Sequence, residues 1–307
     1  MNKYLAKTFT LGTRICLGGE GLGLYGGKAV TIPIDSLSTS VAISPNPDNG
    51  VSILSNFSEE VSAVLRMYHK HGLYPDNICI SSESSVPIGY GLASSATFYA
   101  YLTLALKKYF SYDLTTTELI KIAYDAEHID QGVLVGPTDT YAVMHRKILF
   151  QDHSSTPSNL IEIAKFPSNT SLVIAGRLPS SYKQTGAQLK ERVTLREKGI
   201  VRYTDKVSKL IPLLASAFNH DDKASIGRII TALFESVCTD ININNNDYST
   251  MTAVALSAGA YAAKNIGLRP NGGSIFALCE PLCVARVTQA LTVHSTFVYV
   301  VEIGQIK

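Results

Sequence analysis

The sequence has almost no excess charge of either sign and no long apolar run. Its 307 residues carry 27 Lys+Arg against 25 Asp+Glu, a formal net charge of +2. This balance argues against broad binding to a nucleic-acid backbone, which depends on a concentrated basic surface. Polar residues also interrupt every apolar run before the roughly 18 residues that a membrane-spanning helix needs. We therefore expect neither a nucleic-acid partner nor a membrane partner.

Targeting and cysteine patterns are equally sparse. The first ten residues contain no continuous apolar core and no small-residue cleavage site, so they do not indicate a secretory signal. The five cysteines are an odd number and widely spaced, which is typical of reduced thiols. Only Cys279 and Cys283 are near neighbours, and no second Cys/His pair has zinc-ligand spacing. The sequence predicts a soluble cytoplasmic protein without structural zinc.

The chain does have enough apolar residues, 46%, to bury one large core or two ordinary ones. Helical and strand patterns alternate along it, which predicts an α/β or α+β fold. Ser, Pro and Asn interrupt residues 152–167 and indicate a boundary between an N-terminal domain, 1–160, and a C-terminal domain, 161–307. We predict helices over residues 59–71, 95–110, 117–131, 186–197, 204–219, 222–238 and 249–264. We predict strands over residues 13–17, 29–34, 40–44, 77–81, 171–175, 274–279 and 297–302.

The 22 glycines concentrate in three clusters, the first over residues 18–27. This cluster contains a formal G-x-G-x-x-G dinucleotide fingerprint, which requires a helix directly after the loop. The chain instead continues into residues 29–34, a strand pattern with a proline, so the dinucleotide interpretation fails. Gly27 and Lys28 do not form a P-loop either, because Ala29 stands where Ser or Thr would bind magnesium.

The second cluster, residues 87–96, lies between a predicted strand and a predicted helix. Glycines let backbone N–H groups converge, and a helix N-terminus adds roughly half a positive charge. Ser94 or Ser95 could cap the helix or bind a metal. This arrangement suits a phosphate, but a tight turn with a serine cap is the commoner use of such a pattern.

The third cluster, residues 268–274, is by itself typical of an Asn-Gly hairpin turn. Two acids lie between the second and third clusters, with Asp139 twelve residues after Glu127 and a Gly-Pro loop between them. They could meet at one phosphate site, where one carboxylate holds magnesium and the other accepts a hydroxyl proton. Two solvated acids are the alternative that the spacing leaves open.

Taken in order, these segments resemble the GHMP kinase superfamily, which includes galactokinase and the homoserine, mevalonate and phosphomevalonate kinases. Residues 87–96 match the family's central signature, approximately P-x-G-x-G-L-x-S-S-A, in full, and the third cluster resembles its closing glycine loop. The resemblance spans nearly the whole chain. It implies a two-domain α+β fold, with a ribosomal-protein-like N-terminal domain, a ferredoxin-like C-terminal domain and the active site between them. The family's opening motif is matched by Arg14, Gly19, Glu20, Tyr25, Gly26 and Gly27.

The resemblance also implies roles for individual residues. Ser95, with Ser94 as the alternative, would hold Mg²⁺ together with Glu127. Asp139 would accept the proton of the attacking hydroxyl or orient that hydroxyl, and Arg14 beside it would lower its pKa and steady the transferred charge. The phosphates of ATP would be bound by Pro87, Gly89, Gly91, Leu92, Ala93, Ser94 and Ser95. The small-molecule substrate would be bound by Glu20, Tyr25, Gly26, Asp139, Gly272 and Gly273.

The spacing of Glu127 and Asp139 indicates the branch of the family. Their twelve-residue interval is similar to that of galactokinase-like and heptose-kinase-like sugar kinases and is one residue longer than in mevalonate kinases. Sugar kinases carry His and Asp where this chain has Gly21 and Gly23, and Thr140 replaces a common Gln. We predict an ATP- and Mg²⁺-dependent kinase, monomeric or homodimeric, that phosphorylates a hydroxyl of a sugar or sugar phosphate, with the anomeric hydroxyl favoured.

Two alternatives stay open at this point. Tyr25, Gly26 and Gly27 are also similar to the opening motif of mevalonate kinases. Residues 19–20, 33–35 and 137–139 are similar to the threonine kinases of cobalamin synthesis, so a mevalonate-, homoserine- or threonine-type alcohol kinase is the second hypothesis. The third is a non-catalytic nucleotide-binding homologue, since a fold alone does not prove activity. A screen of ADP release over these acceptors separates all three.

Overall fold

The fold consists of two antiparallel-rich sheets and the helices that cover them. The predicted helix over residues 186–197 falls largely outside the described residues, as do Gln131 and Glu302, the predicted ends of a helix and a strand. The computed structural model describes residues 5–130, 135–178, 191, 195, 197–269 and 271–301. Its strands are β1 Lys7–Gly18, β2 Lys28–Pro45, β3 Val51–Leu54, β4 Ile78–Ser84, β5 Leu149–Asp152, β6 Asn159–Glu162, β7 Ser171–Arg177, β8 Ala260–Ile266, β9 Gly273–Cys279 and β10 Phe297–Val301. Its helices are α1 Ser58–Lys70, α2 Ser94–Phe110, α3 Thr116–Asp125, α4 Thr138–His145, α5 Lys198–Asn219, α6 Lys223–Thr239, α7 Asn246–Ser257 and α8 Val284–Thr292.

The first sheet is built on the long antiparallel pair β1 and β2. Across the described chain this six-stranded sheet has the order β3-β4-β2-β5-β6, with β1 on the other edge of β2. The two ends of β2 pair with different strands, Thr39–Pro45 with β4 and Lys28–Thr31 with β5. Alternate residues of β2, Val41 and Ile43, are fully buried under the aromatic-rich α2 and under α1 and α3. One face of this sheet is therefore covered by these three helices, of which α2 begins in the second glycine cluster.

The second sheet has the order β10-β7-β9-β8 and is antiparallel throughout. Both of its faces are buried. Leu172 and Ile174 of β7 pack toward α5 and α6, whereas Val173 and Ala175 pack toward α7 and α8. Burial on both faces explains why this strand reads as an uninterrupted apolar run rather than an alternating one.

The two sheets share one hydrophobic core. Ile15 and Ile32 of the first sheet lie in the same cluster of buried side chains as Ile211 of α5 and Phe276 of β9. A Cβ atom on Gly18 would approach the Ile211 Cδ1 atom to 2.7 Å, so α5 packs directly on β1. The predicted mixed α+β fold is confirmed. The predicted domain boundary after residue 160 falls within β6 and stays a prediction.

The predicted helix over residues 249–264 is wrong in its second half. The helix α7 ends at Ser257, Gly259 has a φ of +105°, and the chain then enters β8. Alanine-rich segments favour helices, but here pairing with β9 and burial outweigh that local preference. The predicted strand over residues 40–44 is the far end of β2 rather than a separate strand. Within the described residues no helix is long and apolar enough to cross a membrane.

Candidate active site

A cavity of about 330 Å³ lies where the glycine-rich segments meet. Its walls come from β1, the first glycine cluster, the second glycine cluster with the start of α2, the turn that follows α3, and the loop into α4. The loop between β8 and β9 closes it through Gly267, Leu268 and Arg269. Segments far apart in sequence therefore surround one small space.

The second glycine cluster has the backbone geometry of an anion-binding loop. Gly89, Gly91 and Ala93 have φ angles of +87°, +86° and +55°, so every second residue has left-handed geometry. Alternating handedness turns successive backbone N–H groups toward one side, a geometry that binds anions. No side chain of the described residues caps α2, whose N-cap residue is Ala93. The serine-cap interpretation is therefore wrong, and the first N–H groups of α2 stay available to a phosphate.

Gly91 also allows this loop to touch the second sheet. A Cβ atom at this position would lie 2.5 Å from the Ile266 carbonyl oxygen at the end of β8. Only glycine tolerates both this contact and the positive φ without strain. The carbonyl of Gly91 accepts a hydrogen bond from the Arg14 Nη1 atom at 3.4 Å. The phosphate loop thus links β8 to the charged centre of the cavity.

Arg14 and Asp139 form an ion pair at that centre. The Arg14 side chain is 7% exposed, whereas the Asp139 side chain is 35% exposed and lines the cavity. Burial opposes the charge on Arg14, but the attraction and hydrogen bond to Asp139, together with the smaller effects of Cys16 and Glu20, outweigh it and raise the pKa of the guanidinium. Asp139 lies in the first turn of α4. A permanently charged arginine therefore holds a carboxylate that a bound molecule can reach.

Glu127 lies on the other side of the cavity, on a π-helical turn over Ala126–Asp130. Such turns are rare in proteins, and those that occur are often found at functional sites. The residue is 3% exposed, and burial raises the pKa of its carboxyl to about 7, against a hydrogen bond from the Ser95 side chain that lowers it. A buried carboxylate beside a hydroxyl is a set of hard oxygen donors, which suits Mg²⁺.

The magnesium assignment also fits the number of donors. Among the described residues there is no group of three or more His, Cys, Asp or Glu side chains that could hold a metal by itself. Mg²⁺ is commonly held by one or two carboxylates and completed by substrate phosphates and water. Ser95 and Glu127 fit that mode, because both line the cavity beside the anion-binding loop.

A second ion pair joins Glu20, which lines the cavity, to the buried Lys264. The side chains are 5% and 0% exposed, and the Lys264 Nζ atom also donates to the Asn265 carbonyl at 2.8 Å. The ammonium lies 5.7 Å from the ring centre of Phe276. Because Lys264 belongs to β8 and Glu20 to the first glycine cluster, this pair connects the second sheet to the part of the cavity that the first glycine cluster lines.

The start of α4 is held by side chains of β5 and the loop after it. Gln151 donates to the Thr138 carbonyl at 3.1 Å and to the Thr31 hydroxyl at 2.9 Å. The Thr138 hydroxyl lies 3.0 Å from the His153 Nε2 atom. Burial lowers the pKa of His153 to about 4, against the opposing effect of nearby acids. These contacts fix the backbone on which Asp139 is mounted.

The cavity includes some of the predicted site residues and not others. Tyr25, Gly26 and Pro87 are not among its lining residues, and neither are Gly272 and Gly273. A Cβ atom on Gly273 would lie 2.4 Å from the Tyr248 hydroxyl, so this glycine serves packing against α7. Those that do line the cavity are Arg14, Glu20, Gly89, Gly91, Leu92, Ala93, Ser94, Ser95, Glu127 and Asp139.

Several residues at or next to the cavity were not predicted from the sequence. Lys264, which pairs with the lining residue Glu20, is one, and its signal was present as a single charge within a stretch of small and apolar residues. Thr138 is another, although it directly precedes the predicted catalytic aspartate. The third group is Gly267–Arg269, which faces the cavity because the Ile266–Ser274 pairing of β8 and β9 places the loop there. The third glycine cluster includes Leu268 and Arg269, but substrate contacts were predicted only for its Gly272 and Gly273.

The glycine-rich loop, the Arg14–Asp139 ion pair and the Ser95 and Glu127 oxygens therefore line one cavity. The family model described as "GHMP kinases N terminal domain" matches residues 58–147. The galactokinase of Thermotoga maritima is 33% identical over 101 residues, which are 33% of this chain and 28% of that enzyme. The chain thus matches little more than a quarter of the length of that relative.

Two further similarities extend over more of the chain. The D-glycero-alpha-D-manno-heptose 7-phosphate kinase of Campylobacter jejuni is 20% identical over 232 residues, 73% of this chain and 68% of that enzyme. The crystal structure of Lactococcus lactis galactokinase with galactose superposes with a TM-score of 0.87 at 18% identity, covering 97% of this chain and 94% of that one. At that identity the superposition establishes the fold alone. The predicted resemblance to GHMP kinases is confirmed, by the domain that residues 58–147 match and by the fold of the described chain.

Proposed function

We propose that this protein is an ATP-dependent kinase that transfers the γ-phosphate to a hydroxyl of a sugar or sugar phosphate. The observation that carries the proposal is the Arg14–Asp139 pair, whose carboxylate is open to a cavity lined by an uncapped helix N-terminus. A charge-paired acid beside a phosphate loop is what phosphoryl transfer to an alcohol requires.

The phosphates of ATP would lie on the loop from Gly89 to Ser95. Backbone N–H groups turned to one side and the dipole of α2 favour an anion there. Ser95 and Glu127 would hold Mg²⁺, which when bound neutralises charge on the phosphates. Since burial raises the pKa of Glu127 to about 7, its carboxylate is poised to lose its proton when a cation is nearby.

Asp139 would take the proton of the attacking hydroxyl or orient that hydroxyl toward the phosphorus. Arg14 holds the carboxylate by an ion pair and would oppose charge that accumulates on the transferred group. Both residues act mainly by position and electrostatics, which is what a loose phosphoryl transition state responds to. Because Arg14 is buried and also bonded to the Gly91 carbonyl, its place relative to the phosphate loop is well defined.

A sugar or sugar phosphate is the acceptor we favour over other alcohols. The twelve-residue interval between Glu127 and Asp139 supports this, as do the similarities to a galactokinase and a heptose phosphate kinase. Glu20 stays the predicted hydroxyl ligand, with the qualification that one of its oxygens is bonded to Lys264. The cytoplasmic location and the monomeric or homodimeric state remain predictions from the sequence.

A panel of acceptors tests the proposal. ADP release with MgATP would be measured for D-galactose, D-glycero-D-manno-heptose 7-phosphate, mevalonate, homoserine and threonine, with Asp139→Asn as the inactive control. We expect the highest kcat/KM with one of the two sugars and none with the variant. Highest turnover on mevalonate, homoserine or threonine would replace the sugar assignment. ATP binding without turnover on any acceptor would favour a non-catalytic homologue.

A further inference from the structure

The Thr138 hydroxyl is a polar group in the cavity wall that the proposed chemistry does not use. Thr138 is the first residue of α4 and directly precedes Asp139. It lines the same cavity and is otherwise nearly buried. Because it neighbours the residue that would receive the acceptor hydroxyl, it lies within the region that an acceptor molecule must enter.

Gly23 faces Thr138 across this wall. A Cβ atom at position 23 would lie only 2.2 Å from the Thr138 Oγ1 atom, and Gly23 also lines the cavity. The hydroxyl therefore fills the space that the first atom of any side chain at position 23 would need. At this position the sugar kinases that the sequence resembles carry an aspartate. In this chain the polar group at that place comes from α4 instead.

A hydrogen bond to His153 holds the oxygen of the Thr138 hydroxyl in place. The His153 Nε2 atom lies 3.0 Å from Thr138 Oγ1, and its Nδ1 atom lies 2.7 Å from the Ser158 hydroxyl. The imidazole is nearly buried, and burial lowers its pKa to about 4, against the opposing effect of Asp152 and Asp139. A histidine with this pKa is neutral near pH 7, so one of its ring nitrogens donates and the other accepts.

Both tautomers of His153 leave Thr138 able to bind one more group. When Nε2 accepts the Thr138 proton, the threonine oxygen keeps lone pairs that can accept from a ligand hydroxyl. When Nε2 donates to Thr138, the threonine keeps its own proton and can donate to a ligand oxygen. An alcohol group serves as partner in either case, because a hydroxyl both donates and accepts.

We propose that Thr138, oriented by His153 and Ser158, binds a second hydroxyl of the acceptor and helps to set its specificity. This inference rests on the proposed function, because it assumes a polyhydroxylated acceptor beside Asp139. An aspartate at position 23 would make a charged contact with the acceptor. The hydrogen bond from or to the Thr138 hydroxyl is a neutral contact in its place. A neutral hydrogen bond contributes about 0.5–1.5 kcal/mol, so Thr138 discriminates between acceptors by about tenfold at most.

The test compares Thr138→Val, which keeps the shape and removes the hydroxyl, with Thr138→Ser, which keeps the hydroxyl. The probes are D-galactose and its 2-, 3-, 4- and 6-deoxy derivatives, with MgATP as donor. For Thr138→Val we expect KM for galactose to rise about tenfold, with the main effect on KM rather than kcat. One deoxy derivative should show the same KM with wild type and Thr138→Val. Thr138→Ser should behave like wild type.

Other outcomes overturn the inference, and they separate it from the proposed function. Galactose turnover with an unchanged KM in Thr138→Val, or an equal loss for every deoxy derivative, would show that Thr138 only positions α4. Absence of sugar turnover by wild type would overturn both proposals together. Thr138→Ala, which cannot overfill the site, is measured in parallel, so that a folding defect of the valine variant does not decide the result.

Discussion

Two ion pairs each contribute an acid to the wall of one cavity, and they differ in the exposure of that acid. The Asp139 side chain is 35% exposed, whereas the Glu20 side chain is 5% exposed. Their basic partners are both buried, Arg14 at 7% and Lys264 at 0%. The difference indicates that Asp139 is presented to a ligand while the charge of Glu20 is mostly satisfied within the protein.

The two pairs also connect different parts of the molecule. Arg14 and Asp139 join β1 to α4, two elements of the first half of the chain. Lys264 and Glu20 join β8 of the second sheet to the first glycine cluster. We infer that the first pair serves phosphoryl transfer and that the second holds the two halves together around the cavity.

Asp139→Asn is expected to have the largest effect, and the effect should fall on turnover. Loss of a positioned proton acceptor lowers kcat by about 100- to 10,000-fold. Asparagine keeps an oxygen for Arg14, so the fold is retained. Steady-state kinetics and a thermal melt of the same preparation measure both quantities. Turnover within about threefold of wild type would remove Asp139 from the chemistry.

Lys264→Met should chiefly affect stability. Removing one partner of a fully buried pair leaves the other charge unpaired and costs about 3–5 kcal/mol. The double variant Glu20→Gln/Lys264→Met has no buried charge at this place and should recover most of that loss. Denaturant unfolding of the single and double variants measures the difference. Equal destabilisation of both would mean that side-chain packing, rather than charge, holds this contact.

Gly91→Ala changes the glycine-rich loop at a residue that contacts both Arg14 of the first pair and the end of β8, the strand that carries Lys264 of the second pair. The positive φ costs a non-glycine residue about 1–2 kcal/mol, and the added Cβ atom also collides with the Ile266 carbonyl. We expect lower stability and a raised KM for ATP. Gly72→Ala is the matched control, because Gly72 has a φ of +71° but nothing within 4 Å of its Cβ position. An unchanged KM for ATP in Gly91→Ala would argue against this loop as the phosphate site.

His153→Gln should have the smallest effect near neutral pH, and its effect should be visible as a change in the pH dependence of stability. Burial lowers the pKa of His153 to about 4, below its ordinary value of 6.5. Between these values the unfolded chain binds a proton that the folded protein does not, so stability falls as pH is lowered from 6.5 to 4, by at most about 1.4 kcal/mol per pH unit. The variant should lose this contribution. Identical slopes for variant and wild type would contradict the buried neutral state.

The sequence predicted the parts of the site that depend on local order. The glycine-rich loop of residues 87–96 was predicted because glycines, serines and a following helix stand next to one another along the chain, and its glycines line the cavity. Glu127 and Asp139 were singled out by their spacing and by the resemblance, and both line the cavity, whereas their roles stay predictions. The strand after the first glycine cluster correctly excluded a dinucleotide fold, because β2 follows where a helix would be needed.

Contacts between distant segments could not be predicted in the same way. Lys264 was assigned to the end of a helix, because alanine-rich segments favour helices, and its partner Glu20 lies 244 residues away. The closing wall was predicted at Gly272 and Gly273, whereas the pairing of β8 with β9 brings Gly267–Arg269 to the cavity. Such contacts depend on strand pairing and burial, which the local sequence does not specify.

Direct detection of the phosphorylated product would show whether the protein transfers phosphate from ATP to a sugar. Wild-type protein would be incubated with MgATP and D-galactose, and separately with D-glycero-D-manno-heptose 7-phosphate, and followed by ³¹P NMR. For a sugar kinase that uses Asp139, we expect a new phosphate resonance of a sugar ester. It should appear together with ADP in equal amount and be absent with Asp139→Asn. Binding of ATP with no new ester from either sugar, or release of inorganic phosphate alone, would contradict it.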